Sequence, residues 1–179
     1  RSMKSPRLIS IPVLVSILVV RNPGKSFKSL KALDGISLEV EKGELFGLIG
    51  PDGAGKTTLI RILASLSLPD EGKATVNGFD VVKDYRRIRD TMGYMPGRFS
   101  LYQVMTVQEN LEFFATIFGT TIEETYDLVK DIYVQIEPFK NRRAGQLSGG
   151  MKQKLALSCA LIHSPEVLYL DEPTTGVDA

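Results

Sequence analysis

Residues 50–57 read GPDGAGKT and satisfy G-x-x-x-x-G-K-[ST] at every specified position. An apolar run, Leu45, Phe46, Gly47, Leu48 and Ile49, leads into the segment. A helix-like stretch with Leu59, Ile60, Ile62 and Leu63 leaves it. A strand, a glycine-rich turn and a helix in that order constrain a chain severely. The turn must curl, its successive N–H groups converge, and the helix start behind them adds partial positive charge. The result is a cradle for phosphate oxygens. Lys56 is expected to reach the β- and γ-phosphates of a nucleoside triphosphate, and the Thr57 hydroxyl to ligate Mg²⁺. A flexible glycine-rich surface turn is the competing reading, and the flanking apolar runs count against it.

A second apolar run, Val167 to Leu170, reads as a strand buried on both faces of a parallel sheet and ends in Asp171 and Glu172. Carboxylates at the carboxyl end of such a strand lie where open α/β sheets bind ligands. Asp171 is expected to hold Mg²⁺ through water, and Glu172 to orient and deprotonate an attacking water. Solvated acids at a strand end are the alternative. A third segment, 147–153, reads LSGGMKQ and opens an apolar helix through Leu155, Ala156, Cys159, Ala160 and Ile162. Ser148 is a natural N-cap, and Gly149 and Gly150 let a phosphate approach the bare helix end. One nucleotide in one chain has no use for a second such helix start. It makes sense if it serves the nucleotide of a partner molecule; an ordinary capped helix is the other reading.

The strings GPDGAGKTT, LSGGMKQK and LYLDEPTTGVD, in that order, resemble the ATP-binding cassette ATPases over about residues 19–179. The resemblance implies an α/β fold: a P-loop core with an N-terminal antiparallel β part and a helical subdomain. Residues 1–16 would be an extension, 17–179 the cassette, and about 99–145 the helical subdomain. It also implies a head-to-tail dimer of cassettes with two ATPs between them. Gly50, Gly53, Ala54, Gly55, Lys56, Thr57 and Thr58 would bind one triphosphate, while Ser148, Gly149 and Gly150 cover the partner's. Phe27 matches the aromatic that stacks on adenine, with a core or strand-end phenylalanine left open. Asp178 matches the aspartate that communicates across the dimer.

By the same resemblance the chain hydrolyses ATP with Mg²⁺, through Lys56 and Glu172. It would drive a transmembrane permease from the cytoplasmic face of the membrane, and the wording leans towards drug- and lipid-export members. Residues 98–102 would face that permease. A soluble cassette of translation or repair, or a nucleotide-binding module without catalysis, are the alternatives. The long coiled coil of the repair type is absent. Two departures matter. Where the family carries a glutamine that touches Mg²⁺ and the attacking water, this chain has Gly97, followed by Arg98. The family's switch histidine belongs on a strand beyond the aspartate loop, and the lone histidine, His163, is expected in a surface loop instead.

The rest of the chain fits a cassette. Thr106 with Glu109, and Thr121 with Glu124, form capping boxes. The first opens a helix with Leu111, Phe114, Ala115 and Phe118 on one face. The second carries Leu128, Ile132 and Ile136 before Pro138 stops it. Asn77 and Gly78 close a turn after a short strand. A net charge of +1 without a basic cluster gives no electrostatic case for nucleic acid. A single cysteine excludes a disulfide framework and fits a reducing compartment. Residues 8–20 are apolar behind Arg1, Lys4 and Arg7, yet no small-residue cleavage site follows and the run is short for a bilayer. The first strand is expected at residues 18–21, and the chain is expected to be a piece of a longer one.

Overall fold

The computed structural model describes residues 16–97 and 101–172. Its N-terminal layer is antiparallel and is organised by β1, Ser16–Phe27. Around it lie β2 (Leu30–Leu33), β3 (Ser37–Glu41), β4 (Glu71–Val76) and β5 (Phe79–Asp80), in the order β2-β1-β4-β5 with β3 also on β1. β1 changes partners part-way along. Its first half pairs with β3 and β4, and its last residues, Lys25 to Phe27, pair with β2. The β4 register breaks between Arg21 and Gly24, around Pro23, which has no N–H to give a ladder. The strand expected at residues 18–21 therefore continues to Phe27, because the proline sits at a break in pairing and does not end the strand. β4 and β5 form the expected hairpin, with Asn77 (φ 50) and Gly78 (φ 78) supplying the two positive φ values of its turn.

The second layer pairs β6 (Met92–Met95) with β7 (Val167–Leu170) in parallel, Tyr94 opposite Tyr169. Helices α1 (Lys56–Leu63) and α2 (Tyr85–Thr91) join the two layers. Val20, Leu33, Leu59, Ile62, Val76 and Ile88 are fully or almost fully buried in a core shared by both. A separate core, with Leu111, Val129, Ile136, Leu155 and Ile162, belongs to α3 (Val107–Ile117), α4 (Ile122–Tyr133) and α5 (Gly149–Leu161).

The run 45–49 departs from expectation. It lies in no strand, and Leu45 and Ile49 are fully exposed, although Leu48 packs on the core. A parallel strand needs a neighbour to take up its N–H and C=O groups. Among the described residues β6 and β7 pair only with each other. For the same reason β7 is not buried on both faces: Tyr169 is buried, whereas Leu170 is exposed.

The helical part follows its capping signals. Glu109 N donates to Thr106 Oγ1 at 3.1 Å and Thr106 N to Glu109 Oε2 at 2.7 Å. Thr121 and Glu124 reciprocate likewise at 3.2 and 3.1 Å. On α4 the buried positions are Val129 and Tyr133, and Leu128 is exposed. Both stripes have helical spacing, so periodicity could not choose between them. The helix ends at Tyr133, ahead of Pro138, which lies in a 3-10 turn, Glu137–Phe139. That early end moves Ile136 off the Leu128 stripe and into the core.

His163 lies in the turn after α5 as expected, but it is only partly exposed. The loop after α5 folds back on β6, where His163 Nε2 meets Met92 O at 2.9 Å, and the ring stacks on Phe118 with centroids 3.7 Å apart. Burial lowers its pKa from the usual 6.5, outweighing the Met92 bond. Above pH 6.5 the imidazole is neutral in both states; below it the unfolded chain takes up a proton that the fold resists. Stability should therefore fall as pH drops below about 6.5, and His163→Gln should flatten that fall. Urea unfolding at pH 7.5 and 5.5 checks it.

Candidate nucleotide site

The glycine-rich turn closes through Ala54 N donating to Pro51 O at 3.2 Å, and α1 starts behind it at Lys56. Gly55 has φ 85, and a Cβ there would lie 2.2 Å from Ala32 O. No side chain fits, so the loop rests directly on the backbone of β2. Lys56 Nζ donates to Gly50 O at 2.7 Å and Pro51 O at 2.9 Å, folding its ammonium across the loop. Neutral carbonyls hold it where an anion would be a stronger partner. Gly53, Ala54 and Thr58 stand on the same turn and first helical residues.

Thr57 Oγ1 donates to Asp171 Oδ1 at 2.9 Å, joining the start of α1 to the end of β7. Asp171 is buried, and its N–H donates to Met95 O at 2.9 Å. Glu172 follows in the left-handed region at φ 52 and is exposed. A Cβ on Gly97 would be 3.4 Å from Glu172 Cβ and 3.6 Å from Glu172 Oε2. The residue without a side chain thus sits directly beside that carboxylate. On β6, burial first and then the Asp171 charge raise the Tyr94 phenol, and the Arg61 charge opposes this.

Phe27 ends β1 with its ring 53% exposed, so it is not a core residue. Lys25 Nζ lies 5.7 Å from the ring centroid and is held by Asp70 Oδ1 at 2.7 Å. Asp70 is further tied by Ser26 N at 2.7 Å. Ser148 caps α5, accepting from Met151 N at 3.3 Å, with Gly149 and Gly150 as the first helical residues. α5 packs on α3, α4 and β6, whereas α1 packs on β2 and β4. The structure gathers the loop, Asp171, Glu172 and Gly97, and carries Ser148, Gly149 and Gly150 on another helix. Of residues 98–102, Leu101 is buried in the helical core and Tyr102 is exposed with its ring edge-on to Phe113. Arg98, Phe99, Ser100 and Asp178 lie outside the described residues.

Thr57 and Asp171 offer a hydroxyl and a carboxylate together. Among the described residues no cluster of three or more His, Cys, Asp or Glu could hold a metal. That combination suits Mg²⁺, which takes one or two protein oxygens and completes its shell from phosphates and water. Three features escaped the sequence: Ala32 under Gly55, the Lys25–Asp70 pair beside Phe27, and Tyr94 facing Asp171. Each depends on strand register, and only the even spacing of Tyr169 and Asp171 on one strand face hinted at the third.

A glycine-rich loop ahead of a helix, with a threonine and a buried aspartate meeting at its mouth, defines a P-loop nucleotide-binding domain. Residues 33–175 match the ABC transporter family, and the chain belongs to it, carrying its ATP-binding domain. Over 161 residues it is 46% identical to the probable multidrug ABC transporter ATP-binding protein YbhF of Escherichia coli (strain K12), covering 88% of this chain and 27% of that protein. It is 42% identical to the ABC transporter ATP-binding protein NatA of Bacillus subtilis (strain 168), covering 84% and 63%. The Nod factor export ATP-binding protein I of Rhizobium sp. (strain N33) is also 42% identical, with 86% and 51% covered. The chain spans only part of the length of these relatives.

Among solved structures, an ATP-binding subunit of an ABC transporter superposes with a TM-score of 0.80 at 28% identity, covering 91% of this chain and 69% of that one. The dimeric bacterial ABC transporter cassette MJ0796 gives 0.78 at 27%, covering 90% and 76%.

Proposed function

We propose that the chain is the ATP-hydrolysing cassette of an exporter, working as one of two cassettes against a transmembrane permease at the cytoplasmic face of the membrane. The observation that carries this reading is the Thr57–Asp171 bond at the mouth of the loop. It joins the phosphate cradle to the acid-bearing strand at the point where a metal-bound γ-phosphate would lie.

In that site the turn 50–55 and the N–H groups of Lys56, Thr57 and Thr58 hold the phosphates, and Phe27 offers its exposed ring to the base. Lys56 leaves its own loop carbonyls for β- and γ-phosphate oxygens. Mg²⁺, held by Thr57 and Asp171, would neutralise phosphate charge. Glu172 takes the proton of the attacking water, giving ADP and phosphate. Ser148, Gly149 and Gly150 cover the partner cassette's triphosphate with the N-terminus of α5. The name of the Nod factor export protein favours export, and that of YbhF names a multidrug transporter. Among the described residues no helix is long and apolar enough to cross a membrane. A charge of +1 favours no nucleic-acid partner.

One observation favours a second reading, a binding module: Gly97 puts no side chain beside Glu172. Steady-state hydrolysis by the intact protein and its Gly97→Gln variant, each alone and with the permease in liposomes, decides between them. Solvent can replace one lost metal or water contact at modest cost. The rates should then differ by about tenfold or less, equivalent to ~1.4 kcal/mol of barrier. An inert natural protein revived by Gly97→Gln would overturn the enzyme reading.

A further inference from the structure

We infer that Asp70 is a positioning residue for Phe27, a latch just ahead of β4 that holds the end of β1 so that the ring is set to receive a nucleobase. The inference rests on the reading of Phe27 as the base platform. β1 changes partners shortly before that ring. Its last pair with β4 is Gly24 with Glu71, and its register with β2 shifts between Lys25 and Ser26. A register shift of this kind bends a strand and interrupts its ladder, so the direction of Phe27 needs a second hold. Asp70 supplies it. Its N–H donates to Gly24 O at 2.8 Å, its Oδ2 accepts from Ser26 N at 2.7 Å, and its Oδ1 accepts from Lys25 Nζ at 2.7 Å. One residue thus grips Gly24, Lys25 and Ser26, and the next in the chain is Phe27.

The Lys25 arm of the latch reaches the ring itself. Its Nζ lies over the ring, 5.7 Å from the centroid, within range of a cation–π contact. The Lys25 side chain is only 17% exposed, so this ion pair is better shielded than an ordinary surface one. Phe27 is nevertheless more than half exposed, which leaves surface for a base. A ring already held in place spares the complex the entropy of ordering it. The bonds from Lys25 and then Ser26 hold the Asp70 carboxyl below its usual pKa, so the latch carries its charge at neutral pH.

The test compares Asp70→Ala, Phe27→Ala and Glu71→Ala in the intact protein. With Mg²⁺ present, it measures affinity for a non-hydrolysable ATP analogue and for inorganic tripolyphosphate. The ratio of the two reads the nucleoside's share of binding without any turnover. Phe27→Ala should shrink the ratio about tenfold, as the loss of a stacking ring does. Asp70→Ala should shrink it about three- to tenfold, the cost of ordering a loosened ring, with tripolyphosphate affinity and melting temperature unchanged. Glu71→Ala removes the neighbouring acid and should change none of the three. An unchanged ratio in Asp70→Ala beside a shrunken one in Phe27→Ala overturns the positioning role alone. An equal loss of tripolyphosphate affinity, or an equal effect in Glu71→Ala, does the same. If Asp70→Ala lowers the melting temperature, Lys25→Met decides, since it spares both main-chain bonds of Asp70. It should still shrink the ratio, and an unchanged ratio overturns the role. If Phe27→Ala leaves the ratio unchanged, the base-platform reading fails, and Asp70 with it.

Discussion

Lys56→Ala should weaken ATP binding by about two orders of magnitude. A charge-assisted hydrogen bond is worth about 1.5–3 kcal/mol, and Lys56 would make two to the most charged part of the ligand. The gain is partly offset because its ammonium must first leave Gly50 O and Pro51 O. Exchanging two neutral carbonyls for two phosphate oxygens leaves roughly 3 kcal/mol, or about a hundredfold. The fold should not suffer, since the two carbonyls it abandons are exposed and can bond water. Equilibrium titration of the intact protein with a fluorescent ATP analogue reads the loss, and a thermal melt confirms the fold. Binding within about a factor of two of the unaltered protein would remove this loop from the phosphate site.

Glu172→Gln should leave ATP binding intact and slow turnover by about 10²–10⁴, the range that general-base catalysis contributes. The amide can hold a water but cannot accept its proton. The substitution keeps the size of the side chain, which matters here because residue 172 lies in the left-handed region, where a branched residue would be strained. With the chemical step blocked, an ATP-dependent dimer of intact cassettes should persist in sedimentation where that of the unaltered protein decays. Wild-type turnover in the variant would place the general base elsewhere.

The parts of the site legible in the sequence are those whose physics is local. A glycine-rich turn before a helix, a serine or threonine ahead of a helical run, and Asn77 before Gly78 each carry their geometry within a few residues, and each is found where its residues stand. What escaped is what depends on a distant neighbour. The run 45–49 reads as a strand on apolarity alone, but strand formation needs a partner edge, and none is offered to it among the described residues. Leu128 and Val129 differ only in where the helix carrying them ends. His163, beside Pro165 in a short loop, looked solvated; Met92 and Phe118, far from it in the chain, cover part of it. Tyr94 resembled an ordinary strand tyrosine until its register with Tyr169 placed it by Asp171.

The β1–β2 hairpin bears on both ends of the would-be nucleotide. Phe27 pairs with Leu30, and Ala32, two residues on, is the backbone on which Gly55 rests. A stacked base and a cradled phosphate would thus be gauged against each other by one short piece of sheet, like the fixed jaws of a calliper. An extra residue in the Lys28–Ser29 turn would slide one jaw by about 3.4 Å, close to the thickness of a base. It would also turn every following side chain to the opposite face. Length discrimination among nucleotides would then be built into strand register, with no side chain dedicated to it.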